Sequence, residues 1–168
     1  MDATEAKVTL AVDVMGSDRG PKEVLAGISQ SLENSPRGTR FLLFGREDVI
    51  EKHISALDNC DPKQVEIRHA PEVVEMDEKP IAGIKGKKNS SMALALKSLK
   101  DKEAQALLSC GNTGCLMAGS TIRLRTLEGV ERPALCTIWP GRERYFTLLD
   151  AGAHPHAKPY HIAQNAIL

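Results

Sequence analysis

The sequence predicts an α/β fold in which a parallel sheet is covered by helices. Short apolar runs alternate with segments of helical periodicity from Val8 to His69. A glycine-rich turn at 111–114 follows a further apolar run and precedes a helix-like segment, the order typical of strand-to-helix turns in this fold class. The length of 168 residues suits one domain with one core, or a little more.

The first predicted elements are a strand and a helix. Val8 to Asp13 is an apolar run that ends in an acid, and a flexible turn separates it from Pro21. Proline at this point is typical of the first position of a helix. Apolar residues then line one helical face: Val24, Leu25, Ile28 and Leu32.

The same alternation repeats further along the chain. Phe41 to Phe44 predicts a second strand, and helical spacing of apolar residues predicts a helix over Glu47 to Leu57. Val65 to His69 predicts a third strand. The β–α–β–α–β order indicates parallel strands that are joined by helices.

The next stretch, 71–88, mixes acids, a proline and two glycines, and it ends in a basic group that includes Lys88. Asn89 is predicted to cap a helix that runs from Ser90 to about Lys100. Lys88, Ser90 and Ser91 would then lie at a helix start, where cations and hydroxyls can close on an anion. The alternative is a solvated lysine loop before an ordinary cap, which is the commoner role of a charge run.

Ala106 to Ser109 is an apolar run that predicts a strand buried on both faces. A turn follows, and Cys115 to Arg125 predicts a helix of small and apolar residues. Glycines let the backbone approach a ligand closely, and the free N–H groups of a helix start favour phosphate. The alternative is an ordinary strand-to-helix turn that binds nothing. The turn residues are Gly111, Asn112, Thr113 and Gly114.

Two more strands are predicted at Ala134 to Trp139 and at Tyr145 to Asp150. Because the carboxyl ends of parallel strands share one edge, we expect Asp13, the turn at 111–114 and Asp150 to converge on one cleft. Lys158 and its following proline predict the start of a last helix, which carries no closing signal and is expected to continue to the end of the chain.

Composition narrows the classes of function. Lys and Arg number 22, as do Asp and Glu, so no general attraction to nucleic acid or to anionic membranes is expected. Six aromatic residues, no apolar run of membrane-spanning length and no signal-peptide pattern agree with this interpretation. The four cysteines form no CxxC pair and no zinc spacing, which favours reduced thiols in a cytosolic protein.

Six segments carry a resemblance to a known family. They read AVDVMGSDRGP, HAPEVVEMDEKP, KKNSSMALAL, LLSCGNTGCLMAG, EGVERPAL and LLDAGAHPHAKP. In order and spacing, from about Val8 to Leu168, they resemble the bacterial phosphate acyltransferase family. Linked segments in the right order are far more specific than any one of them.

The resemblance implies a three-layer α/β/α sandwich with a mostly parallel sheet, similar to isopropylmalate dehydrogenase and phosphate acetyltransferase. It implies transfer of a long-chain acyl group from acyl carrier protein to inorganic phosphate, giving acyl phosphate for phospholipid synthesis without cofactor or metal. The family is cytoplasmic and homodimeric, and its loose membrane association is attributed to a segment in the second half. Its members are about twice as long, so 1–168 corresponds to their N-terminal part.

The implied phosphate site consists of backbone and hydroxyl groups. Its residues are Gly111, Asn112, Thr113, Gly114, Ser90 and Ser91. Lys88, Lys158 and Asn112 are expected to act at the reaction centre, where phosphate must be held and the developing oxyanion stabilised. Asp13, Asp150 and His154 are expected to orient these groups, since phosphate is already ionised at neutral pH and needs no base.

Several residues depart from the family pattern. Cys110 and Cys115 replace small residues and are expected to be small buried thiols rather than nucleophiles. His154 stands where the family has asparagine. A metal site of three histidines (His154, His156 and His161) lacks a completing carboxylate or cysteine at suitable spacing, so no metal is expected.

The alternative function is a truncated, non-catalytic relative that binds phosphate or a partner without turnover. In either case we expect an open sheet edge and exposed apolar faces, and therefore tight dimers or aggregation.

Overall fold

The computed structural model describes residues 8–34, 39–54, 64–152, 154 and 156–168. The chain forms two compact units, Met1–Leu124 and Arg125–Leu168, each described by itself below. No helix among the described residues combines the length and the hydropathy needed to cross a membrane.

The first unit contains a sheet of four parallel strands in the order β3-β2-β1-β4. The strands are β1 (Val8–Asp13), β2 (Thr39–Gly45), β3 (Val65–His69) and β4 (Ala106–Ser109). The helices are α1 (Pro21–Asn34), α2 (Glu47–Ile54), α3 (Pro80–Gly86), α4 (Ser91–Lys100) and α5 (Thr113–Leu124). The predicted α/β class is confirmed. The predicted helix over Glu47 to Leu57 is described from Glu47 to Ile54, and the rest of the predicted range lies outside the described part of the chain.

The alternation of side chains along the strands builds three layers. Val12 and Leu43 point to one face of the sheet, where they pack in the cluster that contains Leu25 of α1 and Ile50 of α2. Their neighbours in the strands point to the opposite face, because successive side chains alternate. The second face packs against α4 through a smaller cluster: Ala11, Leu42, Phe44, Ala95 and Ala104.

Helix α3 lies within the stretch 71–88, for which the sequence predicted no helix. It begins at Pro80, whose fixed φ suits the first helical turn. At seven residues, with Gly83 and Gly86 inside it, the helix is too short and too poor in apolar side chains to show a clear period. Its Ile84 packs against α4 and α5 in a cluster with Met92, Leu96 and Cys115.

Helix α4 begins one residue later than predicted. Ser90, not Asn89, is its N-cap: its backbone is extended, and its hydroxyl oxygen accepts a hydrogen bond from the N–H of Ala93 at 3.3 Å. The Asn89 N–H donates instead to the Glu72 carboxylate at 2.8 Å. The prediction was wrong because both residue types cap helices well, and only the backbone path selects between them.

The strand β4 is not buried on both faces as predicted. It lies at the edge of the sheet, and Leu108 is 48% exposed. An apolar run indicates a buried strand only when other elements cover both faces, and the described residues do not cover this one.

The second unit contains a hairpin and a helix. Strands β5 (Thr137–Pro140) and β6 (Tyr145–Leu148) pair antiparallel in a separate two-stranded sheet, and helix α6 (Pro159–Asn165) follows. Four residues connect the strands, too few for the crossover that a parallel pair requires. Because the two strands pair with each other in a separate sheet, they do not extend the parallel sheet. Each is also shorter than predicted, with four residues.

This topology corrects the argument that placed Asp150 at the shared edge of parallel strands, because β6 is antiparallel to its partner and ends at Leu148. The predicted start of the last helix after Lys158 is confirmed. The helix ends at Asn165 rather than continuing to the last residue, and Ala166 is its C-cap.

Candidate functional site

The side chain of Asp13 lies at the carboxyl end of β1 and is 1% exposed. Its Oδ2 accepts a hydrogen bond from the Ser109 hydroxyl at 2.8 Å, across the β1–β4 pair in which the two residues stand in register. Its Oδ1 has no hydrogen-bond partner among the described residues. Burial raises the pKa of Asp13, and the Ser91 and Ser109 side chains and the Met15 and Gly16 backbone oppose that rise only in part.

Two loops meet beside this carboxylate, and both contribute a glycine. A Cβ on Gly16 would lie 2.4 Å from Asp13 Oδ2, and a Cβ on Gly111 would lie 3.0 Å from the Gly16 carbonyl oxygen. Neither glycine has a positive φ, so both are required for close approach rather than for backbone conformation. The loop after β1 and the turn after β4 thus form one packed edge of the sheet.

Asn112 ties the central turn to the segment 75–78. Its side-chain amide donates to the carbonyl oxygens of Glu75, Met76 and Glu78 at 3.2, 2.9 and 2.9 Å. Its Oδ1 accepts from the N–H of Cys115 at 2.9 Å, as an N-cap side chain does. Because Asn112 acts as this cap, α5 begins at Thr113 rather than at the predicted Cys115.

The backbone N–H groups of Asn112, Thr113 and Gly114 have no hydrogen-bond acceptor within the described part of the chain. The N–H of Gly111, by contrast, donates to the Ser109 hydroxyl at 3.1 Å. Unpaired N–H groups at the start of a 12-residue helix carry the positive end of its dipole. This geometry can hold an anion such as phosphate.

The two serines predicted to bind phosphate are buried and already hold protein contacts. The Ser90 hydroxyl donates to the Lys87 carbonyl oxygen at 2.8 Å while it caps α4. The Ser91 side chain favours the ionised form of Asp13. The structure therefore brings Ser91, Asp13 and the Gly111 turn together, with Ser90 one residue away in the chain.

The lysines that follow α3 have different surroundings. Lys87 forms an ion pair with Glu78 and donates to the Val73 carbonyl oxygen at 2.6 Å. The Glu75 N–H and Lys87 lower the pKa of Glu78, and Glu78 raises the pKa of Lys87. Lys88 is exposed, and no carboxylate of the described residues pairs with it.

The other predicted site residues belong to the second unit. The Asp150 carboxylate accepts from the Leu135 N–H at 3.0 Å and lies 2.8 Å from His154 Nδ1. Burial opposes ionisation of Asp150, but these two contacts prevail and lower its pKa. Lys158 is the N-cap residue of α6, with its Nζ 5.8 Å from the centre of the Tyr160 ring. The predicted convergence of Asp13 with Asp150 stays a prediction.

Sequence reasoning missed Ser109 and misplaced Cys110. Ser109 is the last residue of β4, opposite Asp13 in register, and a hydroxyl at this point of a parallel strand was the signal that could have identified it. Cys110 is exposed, not buried as expected, because the chain leaves the sheet edge there. Cys115 is buried as expected, and burial raises the pKa of its thiol.

Comparison with known proteins gives one matching family model, described as fatty acid synthesis protein, over residues 8–168. Relatives named phosphate acyltransferase include those of Clostridium tetani, 36% identical over 95% of this chain and 47% of the relative, and of Desulfitobacterium hafniense (strain Y51), 40% identical over 95% and 46%. The relative of Ruegeria pomeroyi is 40% identical over 99% and 45%.

The chain thus spans about half the length of the curated relatives it matches. The match begins at the residue that opens β1 and includes every described residue of the candidate site. The resemblance that the six segments indicated is confirmed. This chain belongs to the fatty acid synthesis protein family.

Proposed function

We propose that this chain provides the phosphate-binding part of an acyltransferase. The reaction moves a long-chain acyl group from the thioester of acyl carrier protein to inorganic phosphate, and it yields acyl phosphate and the free carrier thiol. The observation that carries the proposal is the row of N–H groups at 112–114 that have no acceptor among the described residues, beside the buried Asp13, in a chain whose relatives are named phosphate acyltransferase.

The phosphate lies, in this proposal, above the start of α5, where the N–H groups of Thr113 and Gly114 donate to its oxygens. Asn112 is a positioning residue, because its side chain is fully used in holding the turn against 75–78. Asp13 fixes Ser109, whose hydroxyl in turn accepts from Gly111. These contacts hold the donors in place before phosphate binds, which lowers the cost of binding.

Exposed Lys88 offsets the negative charge of phosphate in this proposal, and the expected action of Lys158 on the developing oxyanion stays a proposal. A phosphate oxygen attacks the thioester carbonyl, the carbon–sulfur bond breaks and the thiolate leaves. Asp150 orients His154 through the 2.8 Å contact. We also propose that the chain forms a homodimer and acts in the cytoplasm.

The test is the phosphate-dependent release of carrier thiol from acyl carrier protein by the 168-residue chain. We expect turnover above background, and we expect Lys88→Ala to weaken phosphate affinity by about ten- to hundredfold, the usual value of a charged hydrogen bond. The matched control is Lys22→Ala, an exposed lysine on α1.

Each other outcome overturns part of the proposal. If phosphate raises the melting temperature but no thiol appears, the chain binds an anion without catalysis, which is the non-catalytic alternative. If phosphate changes neither turnover nor melting temperature, the turn after β4 is only a structural connection. If Lys88→Ala and Lys22→Ala weaken phosphate affinity equally, the effect comes from the change in net charge and not from a contact of Lys88 with phosphate.

A further inference from the structure

A second feature of the first unit lies at the far end of the same three helices. A cavity of about 320 Å³ opens where α3, α4 and α5 end. Ile84 and Lys85 of α3, Lys100 of α4 and Arg123 of α5 line it, each within the last turn of its helix, and Lys88 follows α3.

The charged side chains at this cavity all have the same sign. They are Lys85, Lys88, Lys100 and Arg123, and no acidic residue is among the residues that line it. None of the four forms an ion pair with a carboxylate in the part of the chain that the structure describes. The chain as a whole has a formal charge of zero, so this cluster is a local separation of charge and not a reflection of a basic protein.

Helix dipoles account for only part of this cluster. Each helix C-terminus carries about half a negative elementary charge, so the three helix ends together carry roughly 1.5 negative charges. Four cations exceed that amount. The cluster therefore keeps a net positive field after the helix ends are neutralised, and this field is available to a ligand from outside the chain.

Apolar residues also line the cavity. Ile122 is 49% exposed, and Ile84 and Gly119 lie beside it. A Cβ on Gly119 would lie 2.5 Å from Leu96 Cδ1 and 2.9 Å from Ile84 Cγ1, so the glycine lets the helices pack closely. Protein–protein interfaces likewise combine apolar residues with polar and charged ones.

A small anion fits this cavity poorly. Helices present carbonyl oxygens at their C-terminal ends, which repel an anion and offer it no N–H donor. The four cations are carried on long side chains. A broad acidic surface can contact several of them at once, and an apolar side chain from that surface can cover Ile122.

We propose that this cationic face docks an acidic surface of the carrier protein that delivers the acyl thioester. The inference rests on the proposed function, which requires such a partner. Arg123 and Thr113 lie ten residues apart on α5, about 15 Å along the helix axis. A carrier docked at the cationic face therefore needs to extend its thioester over about that distance to reach the phosphate at the start of α5.

The experiment measures binding of labelled acyl carrier protein to the 168-residue chain by fluorescence anisotropy at low and high salt. The test variant is Lys100→Glu with Arg123→Glu. We expect its dissociation constant to rise at least about tenfold and its dependence on salt to fall, because rim charges act through screened attraction. Lys88 lines this cavity and is also the residue tested in the proposed function, so it is left unchanged to keep the two proposals separable.

The matched control is Lys22→Glu with Lys52→Glu, which makes the same change in net charge on α1 and α2, across the sheet. We expect it to bind the carrier within about twofold of the unchanged chain, since charges beyond a Debye length are largely screened. Circular dichroism and melting temperature establish that both variants fold.

Three results overturn the inference: the unchanged chain does not bind the carrier, both double variants bind it equally, or both lose binding equally. Binding to vesicles of phosphatidylglycerol and phosphatidylcholine through Lys100 and Arg123, without carrier binding, assigns the face to a membrane instead. If inorganic pyrophosphate alone raises the melting temperature of the unchanged chain but not that of the test variant, the cationic face binds a small anion instead.

The failure of the proposed function is a separate result. Phosphate-dependent release of thiol from a carrier-free acyl thioester, measured on the unchanged chain, needs no docking. If that reaction is absent while the carrier still binds through Lys100 and Arg123, the docking face stands and the catalytic proposal fails. If the reaction occurs and the carrier does not bind there, the reverse holds.

Discussion

Asp13 places a carboxylate where solvent cannot reach it, beside the loop and the turn that form the candidate site. One of its oxygens is held by Ser109 and the other has no partner among the described residues. A buried carboxylate with incomplete hydrogen bonding is costly in its charged form. The burial of Asp13 therefore opposes its ionisation. This effect can be measured as a dependence of the free energy of unfolding on pH.

Burial raises the pKa of Asp13 above 3.8. At pH values between 3.8 and the higher folded pKa, the folded chain therefore still holds a proton that the unfolded chain has released. The free energy of unfolding contributed by this group is full below about pH 3.8 and is lost as pH rises through the higher folded pKa. We expect the stability of the unchanged chain relative to Asp13→Asn to fall with rising pH across this window, as measured by urea unfolding.

Asp18→Asn is the control, because Asp18 is an exposed acid in the same loop region. The fall with rising pH should be larger for the comparison with Asp13→Asn than for the same comparison with Asp18→Asn. A rise in the relative stability of the unchanged chain with pH, instead of a fall, contradicts the burial argument and indicates that the hydrogen bonds to Asp13 dominate.

At the scale of elements, α3, α4 and α5 pack so closely that side chains are excluded at one contact. Gly119 of α5 faces Leu96 of α4 and Ile84 of α3, and all three are buried or nearly so. This packing brings the N-terminal ends of α4 and α5 to the phosphate site and their C-terminal ends to the cationic face. Both proposals therefore depend on it.

Gly119→Ala should lower the free energy of unfolding by about 1 to 3 kcal/mol, the usual cost of overpacking a core. The new Cβ would meet Leu96 Cδ1 at 2.5 Å. Gly27→Ala in α1 is the matched control, because its Cβ meets nothing within 4 Å. It should raise stability by about 0.5 to 1 kcal/mol through helix propensity. If chemical denaturation shows both variants stabilised, the helices can separate without cost.

At the scale of the whole molecule, the described sheet has an exposed edge. No further strand pairs with β4 among the described residues, and its Leu108 is half exposed. Apolar side chains are also exposed on the hairpin of the second unit: Ile138, Trp139, Tyr145, Phe146 and Leu148. Unpaired edges and exposed apolar surface promote association.

Sedimentation velocity should therefore show dimers or larger species, and Leu108→Lys should shift them toward monomer, since a lysine on an edge strand opposes pairing. Ile81→Lys is the control: Ile81 is 60% exposed and lies in helix α3 rather than in a strand of the sheet. A monomer in the unchanged chain contradicts this expectation, and an equal shift in both variants assigns association to general apolar exposure.

The candidate site was predictable from sequence in its location but not in its internal contacts. Strand β4 and the turn that follows it were identified from an apolar run and two glycines, because these signals are local. The contact between the Asn112 backbone and phosphate stays a prediction, and the sequence did not indicate that the Asn112 side-chain amide donates to three carbonyl groups 34 to 37 positions earlier in the chain. No local pattern reports a contact of that range.

The sequence by itself determined the α/β class, the strand β1 and the starts of α1 and α6. Apolar periodicity and proline positions specify these features within one or two turns of chain. Tertiary structure decided which of Asn89 and Ser90 caps α4, that β5 and β6 pair with each other, and that β4 is exposed. Each of these depends on which distant segment comes into contact, and contact between distant segments is a property of the folded chain.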